Sequence, residues 1–421
     1  MPRRWLAAAF VLAGCTLGLG AGRDENQRDA LFAEKRYFEL RKVLESDKRD
    51  AKPETLFLRG ILANAFNRLD DSIRDLTAYL ESAGPNLPPA RRREALSILA
   101  DDYIKSFRYG KAVETREIMM PLLRAGSSAE TQADVRGLTE LWKAVRSFPP
   151  QSVAVSGDTE ICRSYGEGVP AVFPGGEVSL LPDTGSSLSL ITLTEAERLG
   201  FQLLEVPVQI STATGERVMA RPSVVAEMRI GKIAVRNAVF LVVPEPMLYF
   251  AQIKTQLGGT LGFPVLAAMR ELTLTRTGCI RVPGRPEVRG APNFFLEGEN
   301  LVLETKRRGR RLLFLLDTGA DLSQLYPRFF RAFKDEILAH GTPATEEVEG
   351  VGTNLKAPAY LMSGLSFPVA GRKVIFDKSV PAMPAPTDIN SNVFDGVFGL
   401  DILAHFETLT INFETMRIAL R

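Results

Sequence analysis

Histidine is almost missing from this chain. There are 2 in 421 residues, His340 in "ILAHG" and His405 in "DILAHFE", and neither stands at a metal-ligand spacing. That scarcity argues against a histidine-based zinc site and against a Ser-His catalytic machine, and no metal or other cofactor is expected. Nor is there an excess of one charge: 52 basic residues face 50 acidic ones, for a net charge of +2. No bulk electrostatic pull toward nucleic acid follows. Long apolar runs are also lacking, since the stretch from Trp5 to Ala13 is too short for an ordinary membrane-spanning helix. What is present is ordinary globular material, 45% hydrophobic and 24% charged, in a chain long enough for two or three domains.

The N-terminus, "MPRRWLAAAFVLAGCTLGLGAG", sets Arg3 and Arg4 before that apolar stretch, so residues 1–22 read as an export signal. The end of the stretch, Leu12-Ala13-Gly14-Cys15, resembles the bacterial lipobox. The resemblance implies that Cys15 becomes the lipidated first residue of a mature protein held in the bacterial cell envelope, facing the periplasm. Thr16, where inner-membrane retention favours Asp, leans the same resemblance toward the outer membrane. A plain cleaved signal, cut near Ala21, is the alternative. Export would place Cys162 and Cys279 where a disulfide can persist; a bond between them and two free thiols both fit, because connectivity cannot be read from sequence.

From residue 23 to 146 apolar residues recur at three- and four-residue spacing with charges between them, the pattern of helices. "TLFLRGILANAFNRLDDSIRDLTAYLE" and "ALSILADDYIKSFRYGKAVETREIMMPLL" each read as two helices joined by a polar turn, with "LFAEKRYFELRKVLE" as a third unit. Gly60 and Ala100 fall at comparable points of the first helices, Ser72 and Ala112 of the second. This resembles degenerate tetratricopeptide repeats, which implies a concave surface for a protein partner. A plain helical bundle is the alternative.

At "RSFPPQSVAV" the character changes to short runs of Val, Ile, Leu and Thr broken by Gly and Pro, which is strand chemistry. This region repeats itself. Asp183 and Asp317 lie 134 residues apart, Gly215 and Gly352 lie 137 apart, and Gly262 and Gly399 also lie 137 apart. "ELTLTRTGCIRV" can be laid on "TLTINFETMRIA". The units are placed at 147–288 and 289–421.

Each unit drives an acidic residue into the end of an apolar run: "VSLLPDTGSSLSLIT" and "LLFLLDTGADLSQLY". A lone carboxylate there is costly, and two suggest that each is the other's partner. Two Asp-Thr-Gly triplets with matching downstream landmarks resemble the retropepsin-like and pepsin-like aspartic proteases. The resemblance implies a multidomain α+β protein, a tetratricopeptide-like helical region followed by two all-β units forming a pseudo-dimer. Asp183 and Asp317 would be its catalytic pair, acting on a protein or peptide substrate without a covalent intermediate. Thr184 and Thr318 would cross-link the two loops, while Gly185 and Gly319 permit tight turns. Ser186 and Ala320 complete the loops. Val397-Phe398-Gly399 and Thr260-Leu261-Gly262 would support them, the latter with one polar departure.

Flap hairpins are expected at "VQISTATGERVMA", with Thr214 and Gly215, and at "EEVEGVGTNLKAP", with Gly350, Val351 and Gly352; ordinary surface hairpins are the alternative. Pro182, which lacks a backbone donor, predicts a distorted first loop. The Ser186 hydroxyl is expected to bond charged Asp183, leaving Asp317 to carry the proton. The competing reading of the whole is a non-catalytic peptide-binding module on a degenerate protease fold.

Overall fold

The computed structural model describes residues 21–45, 52–84, 87–123, 129–162, 168–212, 217–250, 254–387 and 390–421. The chain is α+β, a helical region followed by a strand-rich region that contains a barrel. Among the described residues seven helices come first: α1 (Ala21–Ala33), α2 (Tyr37–Leu44), α3 (Pro53–Ala65), α4 (Leu69–Ala83), α5 (Pro89–Lys105), α6 (Tyr109–Leu123) and α7 (Ala129–Val145). Pro53 and Pro89 open α3 and α5, where the missing N–H is an orphan in any case. Gly60, Ser72, Ala100 and Ala112 are all buried. No described helix is long and apolar enough to cross a membrane.

The helices spend their apolar faces on the chain's own β region. Tyr37 and Phe38 set their rings against Phe295 at 4.9 and 5.9 Å. Arg311 donates to the carbonyls of Glu34 and Lys35 at 2.9 and 2.7 Å. At the other end, Leu141, Trp142 and Val145 of α7 share an apolar cluster with Val208, Ala220, Met247 and Leu248. Burial on both sides joins helices and strands into continuous cores, each fully buried Leu or Phe contributing roughly 1.5–3 kcal/mol.

Two eight-stranded sheets have a matching centre. In the first, strand Gly176–Pro182 runs parallel to Gly259–Leu261, which runs antiparallel to Ser189–Thr192. In the second, Arg310–Leu316 runs parallel to Gly396–Phe398, which runs antiparallel to Gln324–Leu325. Pairing of Arg217–Ile230 with Ile233–Val243 closes the first sheet into a barrel. A five-stranded sheet joins the two regions, because Glu271–Thr275 pairs antiparallel with Thr408–Asn412. At its middle Thr273 faces Thr410, with hydroxyls 2.8 Å apart. Cys162 and Cys279, opposite one another on the neighbouring strands of this sheet, form a disulfide.

Candidate active site

Each Asp-Thr-Gly turn leaves the end of a parallel strand, where the apolar run must stop pairing and the backbone must turn. The amide of Asp183 donates to the Leu261 carbonyl and that of Asp317 to the Phe398 carbonyl, both at 3.0 Å. The Gly185 amide donates to Asp183 Oδ1 and the Gly319 amide to Asp317 Oδ1, both at 2.8 Å. The two turns interlock. A Cβ on Gly185 would lie 2.6 Å from Asp317 Oδ2, and one on Gly319 would lie 2.6 Å from Asp183 Cγ. Only glycine leaves room for each carboxyl to rest on the other turn.

Beneath the carboxyls, Thr184 and Thr318 exchange amide-to-hydroxyl bonds at 3.0 Å. The Thr184 hydroxyl then donates to the Leu316 carbonyl at 3.0 Å, and the Thr318 hydroxyl to the Pro182 carbonyl at 2.9 Å. Pro182 therefore does not distort the first loop: each of these bonds has a counterpart in the second within 0.1 Å. The physical reason lies in strand alternation. The amide of Asp183 points at Leu261, so residue 182 faces the other way, where described pairing with Val169–Phe173 has already ended at Leu180. A proline costs nothing where no donor is needed.

Each carboxyl lies against the glycine of the other's turn, so the two stand close together. Burial, together with the charge of Asp317, holds Asp183 well above the usual carboxylate range. Burial also raises Asp317, and backbone amides favour the charged form of both carboxyls, Gly185 and Ser186 for Asp183 and Gly319, Gly185 and Ala320 for Asp317. Both carboxyls are held above the usual range, and the two titrate as one coupled pair. The Ser186 hydroxyl does not reach Asp183; it donates to the Leu188 carbonyl at 2.7 Å, a local side-chain-to-backbone bond that wins by proximity.

The supporting glycines meet two serines to which sequence reasoning gave no part. Gly262 donates its amide to Ser189 Oγ at 3.1 Å, and Gly399 donates to Ser323 Oγ at 3.0 Å. These serines stand six residues after each Asp, so the 134-residue offset could have found them. The Ser186 carbonyl accepts from Phe263 and the Ala320 carbonyl from Leu400, both at 2.8 Å. Asp401, also missed, takes the Ser323 hydroxyl at 2.6 Å and its amide at 2.9 Å. Its counterpart position in the first unit is Pro264, so no internal match could reveal it.

Of the expected flaps, the second is the hairpin Thr342–Gly350 with Thr353–Met362, its tip at Val351 and Gly352. The first is framed by Val208–Ser211 and Arg217–Ile230; Thr214 and Gly215 lie outside the described residues, as does Cys15. Thr260 is buried, and its hydroxyl has no hydrogen-bond partner among the described residues.

The aspartyl protease family model matches residues 169–265, which include Asp183 and Gly262 and stop short of Asp317. No curated protein matches the chain. Over the matched barrel the chain has an aspartic protease-like fold.

Proposed function

We propose that this protein is an aspartic endopeptidase in which two β units form a pseudo-dimer around one site, with Asp183 and Asp317 as its catalytic pair. The observation that carries the reading is the pair of buried carboxyls set against one another on interlocked turns, both held above the usual carboxylate range. Ionised Asp317 takes a proton from a water, whose oxygen forms a bond to the carbon of a peptide carbonyl. Asp183 gives its proton to the carbonyl oxygen. The resulting diol collapses as Asp317 gives its proton to the nitrogen and Asp183 takes one from a diol hydroxyl; the C–N bond breaks to an acid and an amine, and the pair is back in its starting state. No covalent bond to the chain forms.

Export to the bacterial envelope, with a lipid anchor at Cys15, belongs to the same proposal. The Cys162–Cys279 disulfide supports an oxidising compartment. A protein partner or substrate would be carried on helix faces turned away from the strands, such as the one bearing Ile118, 56% exposed on α6.

The test is to incubate the chain from Arg23 onward with a diverse peptide library from about pH 3 to about pH 8, beside Asp183→Asn and Asp317→Asn, reading cuts by mass spectrometry. Cleavage that disappears in both variants is expected. Cleavage surviving Asp317→Asn would end the shared-pair mechanism, and folded protein that cuts nothing at any pH would favour a peptide holder.

A further inference from the structure

The two hairpins that flank the candidate cleft are held very differently. Helix α7 lies directly on the first. A Cβ on Gly137 would stand 2.9 Å from the carbonyl oxygen of Gln209, so helix and strand backbone touch where the side chain is missing. Asp134, one turn earlier, pairs with Arg217 at 3.4 Å. Leu141 and Trp142 continue the contact against Val208, Val218 and Ala220. A strand clamped along its length by a helix has little freedom to swing.

The second hairpin has no such clamp on one face: Thr345, Glu347, Lys356 and Pro358, two cross-strand pairs, are exposed. Its tip crosses to the first unit. The Gly352 amide donates to the Met247 carbonyl at 2.7 Å, and Gly352 has φ +71° with no room for a Cβ against the Met247 side chain. Met247 sits on the short turn Glu245–Leu248, which belongs to the same apolar cluster as α7, and Val351 packs against that cluster. Helix, fixed hairpin, turn and tip thus form one contiguous body.

We propose that α7 is a positioning element of the candidate active site: it makes the first hairpin and the Met247 turn a rigid rim, and the second hairpin alone is the lid that closes on it. The catalytic consequence rests on the endopeptidase reading; the mechanical coupling does not. A lid that must reach a rim built by another region makes the helical region necessary for turnover, and neither inhibitory nor dispensable.

Hydrogen exchange on the full chain tests this, comparing wild type with Gly137→Val, which pushes α7 off Gln209, and Asp134→Asn, which removes the charge that pairs with Arg217. The expected result is exchange about tenfold faster or more in 206–212 and also in 342–352, with Asp134→Asn moving the same amides less. The strands 271–275 and 408–412 should not change. Where peptide cleavage is measurable, kcat/KM falls while its pH profile keeps its shape, because the carboxyl pair is untouched. Acceleration confined to 206–222, with the second hairpin unaffected in both variants, overturns the proposal. So does faster cleavage than wild type. If wild type cuts nothing while the linked exchange appears, the coupling stands and the endopeptidase reading falls.

Discussion

The amide of Thr184 donates to the hydroxyl of Thr318, and the amide of Thr318 donates to the hydroxyl of Thr184, each at 3.0 Å. Both threonines are 2% exposed, and each hydroxyl passes its own proton to a strand carbonyl of the opposite unit, Leu316 or Pro182. Four bonds therefore tie the two loops where no water can replace them. Replacing either threonine by valine keeps the volume and strands one amide and one carbonyl. A loss of about 2–4 kcal/mol is expected from Thr184→Val or Thr318→Val, by denaturant unfolding. The two variants break different bonds, two each, so a double variant that loses less than the sum shows that the loops loosen together once either pair is gone. Serine at either position should restore most of the stability. Strict additivity would mean that the two loops are not coupled through these hydroxyls.

The raised pKa of Asp183 makes a prediction with a definite sign. The ordinary value is 3.8, and the folded protein holds the proton to higher pH. Between those two values the native state binds more protons than the unfolded chain, so stability falls as pH rises through the window and the full penalty stands above it. Asp183→Asn supplies a neutral group that can still donate to Asp317, and should raise stability at neutral pH while removing cleavage. Asp317→Asn should gain less, since three amides already favour its charge. Thermal melts of both variants at acid and neutral pH check the order. A larger gain from Asp317→Asn would place the proton on the other carboxyl. Cleavage itself should need one proton on the pair, and decline as pH rises past the upper apparent value.

Much of the molecule's plan stands in the string of residues. The change from three- and four-residue spacing to short β-rich runs separates α1–α7 from the sheets, and the offset of 134 pairs Asp183 with Asp317. Local rules reach that far because periodicity and turn chemistry act over a few residues. What they do not reach is any contact set by docking. Gly137 in α7 carries no mark that it will meet Gln209, and Asp401 has no counterpart in the first unit. The Ser186 hydroxyl was misread for a related reason: a carbonyl two residues away competes with a carboxylate whose distance depends on the turn.

The disulfide between Cys162 and Cys279 spans 117 residues and ties the strand Thr159–Cys162 to the edge of the sheet that joins the two β units. Closing so long a loop in the unfolded chain removes much of its freedom, worth about 5 kcal/mol on the chain-entropy account. Cys162→Ser with Cys279→Ser should lower the melting temperature and leave the bonds between Thr184 and Thr318 intact. Cleavage by the double variant at low temperature should match wild type, because neither sulfur lies near the carboxyl pair in the chain of contacts described. Loss of activity without loss of stability would show that the joining sheet positions the site directly.

Thr260 offers the converse case, a residue whose replacement should strengthen the fold. It sits on the strand that backs the first loop, opposite Leu181, as Val397 sits opposite Leu315 in the second. It is 1% exposed, and its hydroxyl has no partner among the described residues. An orphaned buried hydroxyl costs about 1–3 kcal/mol, whereas a methyl in the same place packs without penalty. Thr260→Val is therefore expected to stabilise by about 1 kcal/mol or more, read as a higher urea midpoint with unchanged slope. The strand pairing, and with it the Leu261 carbonyl that receives the Asp183 amide at 3.0 Å, involves only backbone and should persist. Cleavage rates should then stay within about twofold of wild type. Destabilisation by this change would mean that the hydroxyl is bonded after all, and that the polar departure in Thr260-Leu261-Gly262 contributes to the first loop.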